Sequence, residues 1–328
     1  MQVATAHRAS VALFTAAELD VFSALDRGAL TAVDVARDTG VPHVESLRLV
    51  LEMCVQSGLL LRVDGRDDAY ANSPTTETFL VRGRPSYIGA GLQYAADLYP
   101  AWDRLTDLVR TGRAPLVPET ILGDDPAKTR HFVYAMHQRA QGIGTVLPAV
   151  VNLAGCRRLL DVGGGPGTYS MRLIAATPGL RSTILDLPGV LAVTREIVDG
   201  EGFADRVDLR PGNYLTSDFG TGYDAVLLSG MMHRETAADC QLLLRKAAAA
   251  LNAGGRIVVS DVFFDDDRKV SPPFAVQFAL HMMLTSDHGS AHAKTEMAEW
   301  MRGAGCVEVD VRPLPPPNPH TVLLGRLA

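Results

Sequence analysis

Apolar residues recur at helical spacing along the first part of the chain. Between residues 9 and 25 they predict an opening pair of amphipathic helices. Thr31 has the character of a helix N-cap, and the segment 31–57, with Gly40 at its turn, predicts a helix-turn-helix. Two short runs of strand-forming residues follow within 58–71. We therefore expect a mainly α winged-helix domain at the N-terminal end.

The pattern predicts two further helices at 87–111 and 125–152, and it changes beyond residue 158 to alternating strands and helices. Short apolar runs predict strands at 159–162, 182–186, 207–210, 223–229, 256–261, 307–312 and 320–326. Helices between successive strands indicate a mostly parallel, doubly wound α/β sheet of the Rossmann-like kind. The last two strands have no helix between them, which predicts one antiparallel edge.

The length of the chain agrees with more than one domain, because 328 residues exceed what a single core of ordinary size holds. We expect a winged-helix domain over 1–95 that serves for dimerisation. Bridging helices over 96–152 are expected to line a substrate pocket. A Rossmann-like domain is expected over 153–328.

Composition and charge narrow the classes of function. Hydrophobic residues make up 47% and charged residues 21% of the chain, and no apolar run reaches the roughly 18 to 20 residues of a membrane span. The N-terminus lacks the pattern of a secretory leader, so we expect a cytoplasmic protein with no membrane partner. The net charge is −6, and Lys and Arg form no cluster longer than a doublet, which argues against nucleic acid as a partner. The four cysteines are widely spaced and are expected to be core thiols.

The strongest motif lies at the end of the first predicted strand of the α/β domain. Residues 161–167 read D-V-G-G-G-P-G, and Asp186 follows at the end of the next strand. Glycines let the backbone approach a ligand closely, and an acidic side chain at the second strand can accept hydrogen bonds from ribose hydroxyls. A nucleoside-containing cofactor is therefore expected. The NAD fingerprint does not fit, because Thr168 stands where it requires a third glycine.

The chain resembles the two-domain O-methyltransferases, which include caffeate-type and acetylserotonin-type enzymes and bacterial natural-product tailoring enzymes. The resemblance rests on the motif at 161–167, on L-D-L-P at 185–188, and on three further segments that the family shows in related form: G-N-Y at 212–214, M-H-R-E at 232–235 and A-G-C at 304–306. It implies S-adenosylmethionine as cofactor, a small-molecule substrate, a role in natural-product biosynthesis and a homodimer.

The resemblance also implies the residues of the site. The residues that it assigns to the cofactor are Asp161, Gly163, Gly165, Asp186, Leu187, Asn213, Tyr214 and Ser229. Asn213 stands where the family has an aspartate that accepts from the adenine amino group, and its amide oxygen can substitute. His233 is expected to be the general base that removes the proton of a phenol-like hydroxyl, with Asp261 orienting it. Met136, Met232 and His288 are the expected substrate contacts.

One departure from the family opens an alternative. A second acid beside the catalytic histidine is usual, but Ala293 stands at that position. His281, His288 and His292 lie in the same region of the sequence. His233, with His288 or His281 as a second histidine and Asp261 as the carboxylate, could instead hold a divalent or ferric metal ion for C-methylation of an α-keto acid. A third possibility is a non-catalytic regulatory protein that binds the cofactor, and the net charge argues against it.

Two arginines of the predicted helix 125–152, Arg130 and Arg139, could pair with a substrate carboxylate. A solvated helix face is the favoured interpretation of both.

Overall fold

The structure, a computed structural model, describes residues 2–63, 65–84, 86–116, 122–316 and 318–328. The chain separates into two units, residues 1–100 and 101–328. The division between them falls inside the helix Gly89–Asp103.

The N-terminal unit is a helical domain with a small sheet. Its helices are α1 (Gln2–Thr5), α2 (His7–Glu18), α3 (Val21–Ala24), α4 (Ala32–Thr39), α5 (Val44–Gln56) and α6 (Pro74–Phe79), and its strands are β1 (Leu30–Thr31), β2 (Leu60–Val63) and β3 (Arg66–Asn72). The three strands pair antiparallel in the order β1-β3-β2. The winged-helix prediction is confirmed.

Local sequence explains the helix-turn-helix of this unit. The Thr31 side chain accepts a hydrogen bond from the backbone N–H of Asp34, 3.2 Å away, and so caps the first turn of α4. The helix ends at Gly40, whose φ of 71° is a left-handed conformation that glycine adopts without steric cost. The fully buried side chains of Phe22, Leu51 and Tyr70 form the centre of the core that α4 and α5 close.

The second unit is a seven-stranded sheet with helices. Helix α7 (Gly89–Asp103) contains the division between the units. The helices of the second unit that follow it are α8 (Leu105–Thr111), α9 (Pro126–Val151), α10 (Thr168–Ala176), α11 (Pro188–Gly200), α12 (Ala237–Ala250), α13 (Pro273–Thr285) and α14 (Lys294–Gly303). The strands are β4 (Arg158–Val162), β5 (Arg181–Asp186), β6 (Val207–Pro211), β7 (Tyr223–Ser229), β8 (Leu251–Asp261), β9 (Cys306–Pro313) and β10 (Thr321–Leu327). Their order is β6-β5-β4-β7-β8-β10-β9.

The central strands β4 and β7 are buried on both faces, as their near-continuous apolar sequence predicts. Along β7, Ala225 and Leu227 belong to one hydrophobic cluster, whereas Val226 and Leu228 belong to the other. This alternation follows the two-residue period of a strand. Strands β4 to β8 are parallel, so their carboxyl ends meet at one edge of the sheet.

The position of the antiparallel strand differs from the prediction. The last strand, β10, runs antiparallel to both β8 and β9 and lies between them, so the reversed strand is one position inside the edge. The missing helix between the last two strands shows only that they pair antiparallel. It does not show which of the two lies at the edge, and in the structure β10 pairs with β8 and leaves β9 at the edge.

The predicted helix 87–111 is two helices. Pro100 lies inside α7 and has no backbone N–H to donate. The N–H of Arg104 then bonds to the carbonyl of Ala101, three residues back, and α8 begins at Leu105. Within the described part of the chain, no helix combines the length and the apolar character needed to cross a membrane.

Candidate functional site

The candidate site lies where the strand order of the sheet reverses. Strands β4, β5 and β6 proceed to one side, and β7 and β8 proceed to the other, so β4 and β7 flank the switch point. Ligands of open α/β sheets bind in the crevice at the carboxyl ends of such strands. The motif at 161–167 follows β4, and His233 follows β7.

The loop after β4 forms an open cradle. Gly163 and Gly165 have φ values of 63° and 52°, which favour glycine. A Cβ atom added at Gly163 would lie 3.4 Å from both Cγ of Met231 and Cε1 of Tyr214, whereas a Cβ added at Gly165 would meet nothing within 4 Å. The space beside Gly165 is therefore free, and Tyr214 and Met231 line the approach to Gly163.

Asp186 fixes this loop from the neighbouring strand. Its carboxylate accepts hydrogen bonds from the backbone N–H groups of Gly165, at 2.8 Å, and Leu187, at 2.7 Å. Burial raises the pKa of Asp186 to about 6, although these two bonds act in the opposite direction. A carboxyl group at this position, with oxygen atoms at the strand end, is chemically suited to ribose hydroxyls.

Two buried polar atoms at the switch point have no hydrogen-bond partner among the described residues. They are Oδ1 of Asp161 in β4 and Oγ of Ser229 at the end of β7. The other oxygen of Asp161 accepts from the Ser170 hydroxyl at 2.6 Å, and burial raises the pKa of Asp161 to about 7. Orphaned polar atoms are costly in a protein interior. Beside an open glycine cradle they fit a polar ligand such as S-adenosylmethionine, which carries ribose hydroxyls, an amino group and a carboxylate.

Asn213 and Tyr214 lie after β6, across from the glycine loop. Oδ1 of Asn213 accepts from the backbone N–H of Leu215 at 2.9 Å, so the amide oxygen that the sequence assigns to an adenine already caps a turn. A carbonyl oxygen has a second lone pair, which leaves one acceptor position. The Tyr214 hydroxyl donates to Oε1 of Glu235 at 2.6 Å, and this bond holds the ring beside Gly163.

His233 and Asp261 form a buried pair. His233 lies in a 3-10 turn after β7, and Asp261 ends the adjacent strand β8. Burial by itself would raise the pKa of Asp261, but the attraction and hydrogen bond of His233 lower it below its ordinary value. The carboxylate therefore accepts, and Nδ1–H of His233 donates to Oδ1 at 2.8 Å. This bond leaves the lone pair on Nε2 of His233, and no group among the described residues hydrogen-bonds to that atom.

The ring of His233 has an aromatic neighbour and a held backbone. Phe278 of α13 meets it edge to face, with ring centroids 4.8 Å apart. The backbone N–H of His233 donates to Oδ2 of Asp261 at 3.3 Å, and the backbone N–H of Ser290 donates to the His233 carbonyl at 2.8 Å. The His233 side chain is only 11% exposed, so its orientation is fixed while one nitrogen remains available.

The remaining histidines of the region have separate places. His292 is buried, with Nε2 3.1 Å from the carbonyl oxygen of Met232 and 3.2 Å from that of Glu235, so it holds the turn that presents His233. His281 stacks on Trp102 at 6.0 Å. His288 is exposed, and no hydrogen bond or ring contact joins it to His233 among the described residues.

The predicted metal alternative gains no support from this arrangement. The described residues contain no group of three or more His, Cys, Asp and Glu side chains that could hold a metal ion. One nitrogen of His233 bonds to Asp261, and His288 lies in an exposed loop, so the two do not form a ligand set.

The structure also places the other expected substrate contacts. Met136 is half-buried on α9, whereas Met232 has no exposed surface and packs in the core below the turn. Met231, one residue earlier, is the methionine beside the glycine loop. Ala293 is the N-cap of α14, and its N–H donates to Glu296 at 2.8 Å, so Glu296 serves as a helix cap and does not supply the second acid.

Sequence reasoning did not identify Phe278 or His320. Phe278 is one of many apolar residues in a helix that is buried on several sides, and nothing in the pattern singles it out. His320 is buried, with Nδ1 3.2 Å from Oγ of Ser260, and it immediately precedes the residue that pairs with Asp261 across β8 and β10. Its place beside Asp261 follows from the antiparallel insertion of β10, which the sequence does not specify.

Comparison with known families and proteins gives concordant matches. The O-methyltransferase domain family matches residues 102–307, and the O-methyltransferase dimerisation domain family matches residues 1–82. A 3-hydroxy-5-methyl-1-naphthoate 3-O-methyltransferase from Streptomyces sahachiroi is 31% identical over 318 residues, which cover 95% of this chain and 90% of that protein.

A second relative and one solved structure extend the comparison. The tetracenomycin polyketide synthesis 8-O-methyltransferase of Streptomyces glaucescens is 31% identical over 330 residues, covering 99% of this chain and 95% of that protein. The structure of human N-acetylserotonin methyltransferase in complex with SAM superposes with a TM-score of 0.89 at 22% identity, covering 100% of this chain and 96% of that one, which shows the same fold.

Proposed function

The chain belongs to the S-adenosylmethionine-dependent O-methyltransferase family, and on that premise we propose that it methylates a phenol-like hydroxyl of a small molecule with His233 as the general base. The observation that carries this proposal is the buried His233–Asp261 pair, with its 2.8 Å hydrogen bond on Nδ1 and an available Nε2. The similar naphthoate enzyme is named for methylating a ring hydroxyl, which supports the same class of acceptor here.

Each residue of the pair has a definite part in the reaction. When bound, S-adenosylmethionine supplies a methyl group activated by its sulfonium, and the acceptor oxygen takes that methyl as the carbon–sulfur bond breaks. Nε2 of His233 accepts the hydroxyl proton, and the imidazole becomes a cation. Asp261 keeps the proton on Nδ1 and stabilises the imidazolium by its negative charge. After turnover, His233 releases the proton to solvent.

The residues at the switch point are proposed to hold the cofactor. Asp186 would accept from the ribose hydroxyls, and the open space beside Gly165 would admit the ligand against the backbone. The orphaned atoms of Asp161 and Ser229 would gain partners there. Tyr214 would flank the purine, since its ring is already held beside Gly163. Leu187 and Asn213 complete the proposed set.

We also propose a homodimer formed through the N-terminal domain, within the predicted bounds 1–95. The match to a dimerisation domain over residues 1–82 supports this proposal. The predicted bridging segment 96–152 contains α9, whose residue Met136 is half-buried, and we propose that α9 contributes to the acceptor pocket.

The test is turnover on a mixed panel of acceptors. Purified protein is incubated with S-adenosylmethionine and either phenols or α-keto acids, with and without a chelator, and release of S-adenosylhomocysteine is measured. We expect turnover of at least one phenol at a rate that the chelator leaves unchanged. Turnover of a keto acid alone, abolished by the chelator, would contradict the proposal.

Two variants test the role of the pair. His233→Ala should lose turnover by about a hundredfold or more, and Asp261→Asn should lose a comparable amount, because an amide can present its NH2 group to Nδ1 and favour the wrong tautomer. Binding of S-adenosylhomocysteine, measured by calorimetry, should be retained in both variants. A His233→Ala enzyme with a near-normal rate would refute the assignment of the base.

A further inference from the structure

Arg139 lies one aromatic ring away from the candidate base. It belongs to α9, and its guanidinium carbon is 5.7 Å from the centroid of the Phe278 ring. The same ring meets His233 edge to face at 4.8 Å. Phe278 therefore contacts both the guanidinium of Arg139 and the imidazole of His233.

This arginine has no ion-pair partner among the described residues, which distinguishes it from its neighbour on the same helix. Arg130, nine residues earlier, is 2.6 Å from Oε2 of Glu196 and lies over the ring of Tyr134. A paired arginine on an exposed helix face needs no ligand. An arginine held over a ring with its N–H donors unpaired is arranged to receive an anion.

The charge of Arg139 also reaches buried groups around the site. Burial and, after it, the positive charge of Arg139 lower the pKa of His281 to about 4. Burial lowers the pKa of His320 to about 4 against the attraction of Asp261, and Arg139 acts in the same direction as burial. Arg139 is itself exposed, so an anion can reach its guanidinium from solvent.

We propose that Arg139 binds a carboxylate on the methyl acceptor, so that the preferred substrates are hydroxyaryl carboxylates with their two groups at opposite ends of an aromatic system. This inference rests on the proposed function, because it takes His233 as the residue that receives the hydroxyl proton. Since no described residue accepts a hydrogen bond from the Arg139 guanidinium, its N–H groups can form two parallel hydrogen bonds with a carboxylate. The acceptor would then reach from Arg139 to His233.

The test compares acids with their uncharged esters. Isomeric hydroxynaphthoic acids and their methyl esters are titrated by calorimetry into the full-length protein saturated with S-adenosylhomocysteine. We expect at least one acid to bind about tenfold to a hundredfold more tightly than its ester, the range for a hydrogen-bonded charge pair. Arg139→Gln should remove this preference by weakening the acid alone. Arg139→Lys, which keeps the charge, should retain part of it.

Arg130→Gln is the matched control, since it removes the same charge from the same helix and should leave the acid preference intact. Equal binding of acid and ester by the wild-type protein, equal loss of both in Arg139→Gln, or no binding of any acid would overturn the proposal. Turnover is measured separately. Methylation of phenols without an acid preference would support the proposed function and refute the role of Arg139. Acid-selective binding without methylation of any phenol would support the role of Arg139 in binding and refute the proposed function.

Discussion

At the scale of single residues, the site depends on atoms that local structure leaves without partners. Nε2 of His233, Oδ1 of Asp161 and Oγ of Ser229 are all placed by a strand end or a tight turn, and none has a hydrogen-bond partner among the described residues. Folding positions these groups at a cost in unsatisfied polar atoms that a bound ligand would offset. Function at this scale can therefore be tested by variants that change ligand binding more than stability.

Gly165 provides such a test, because Gly155 is a matched control. Both have a left-handed φ, 52° and 85°, and a Cβ at either position would meet nothing within 4 Å. Each Gly→Ala variant should lose roughly 1–2 kcal/mol of unfolding free energy from backbone strain, measured in urea. Only Gly165→Ala should bind S-adenosylhomocysteine about tenfold or more weakly, since its methyl group enters the cradle. Equal affinities in the two variants would mean that the cofactor does not approach Gly165.

His320 predicts a pH dependence of stability. Its folded-state pKa of about 4 lies below its ordinary value of 6.5, so the unfolded chain binds the extra proton first and stability falls as the pH drops from 6.5 toward 4. The loss should reach about 2 kcal/mol at pH 5. In His320→Gln that contribution is absent, so the unfolding free energy of the variant minus that of the wild type should rise by about 2 kcal/mol between pH 7.5 and pH 5.

The comparison with the wild-type protein isolates His320 from the acids of the site. Burial raises the pKa of Asp161 and Asp186 to about 7 and about 6, and these groups stabilise the folded state as the pH falls. Their contribution is present in both proteins and cancels in the difference. Parallel pH curves of the two proteins would show that His320 is not held neutral by the fold.

At the scale of elements, the 3-10 turn Met232–Arg234 positions His233, the proposed base. The carbonyl groups of Met232 and Glu235 can only accept, so Nε2–H of His292 donates to both. His292 approaches from the loop before α14, while Asp261 holds the same turn from the end of β8. The turn is thus fixed by two elements on either side of it.

His292→Ala should therefore lower kcat by about tenfold to a hundredfold, because a small displacement of the base is costly in rate. Affinity for S-adenosylhomocysteine should change little, and His292→Gln, whose amide can still donate, should recover part of kcat. Cys306→Ala is the control, since it removes a buried side chain of the hydrophobic cluster that also contains Met232, and Cys306 lies outside the turn. A loss of stability in both variants with no difference in kcat would reduce His292 to a purely structural role.

Elements were predicted from the sequence more accurately than their arrangement. The strand ends that bear Asp161, Asp186 and Asp261 follow from apolar runs bounded by polar residues, and the helical domain follows from spacing and from the caps at Thr31 and Gly40. The prediction of a single helix over 87–111 was wrong, because the structure has two helices there. The insertion of β10 between β8 and β9 was not predicted. Both depend on contacts between elements, which a local pattern does not contain.

The residues of the site also divide into those that the sequence predicted and those whose place depends on packing. The motif residues around Gly163 and the pair His233–Asp261 were assigned because a resemblance fixes them one by one, and the structure brings them to one edge of the sheet. The expectation that His288 lies beside His233 was based on its nearness in sequence to Ala293, where the family has its second acid. The chain turns between them so that His292 points inward and His288 outward, and only the packed loop reveals this.

At the scale of the whole molecule, the N-terminal unit exposes several large apolar side chains. Val11 of α2 is 39% exposed, and Leu49, Val33, Leu61 and Val3 of the same unit are more exposed. Exposed apolar surface of this kind marks association sites when it is contiguous. We expect the wild-type chain to sediment at twice the 35.1 kDa of a single chain.

A charge introduced on this unit should weaken that assembly, because a carboxylate buried in an apolar interface loses its hydration. Val11→Glu should raise the dissociation constant of the dimer by about tenfold or more in sedimentation equilibrium. Val109→Glu is the matched control, since Val109 is 77% exposed on α8 of the other unit and should leave the dimer intact. A wild-type chain that stays monomeric at micromolar concentration would refute the proposed dimer. Dissociation by Val109→Glu alone would move the interface to the second unit and leave the dimerisation domain without its proposed role.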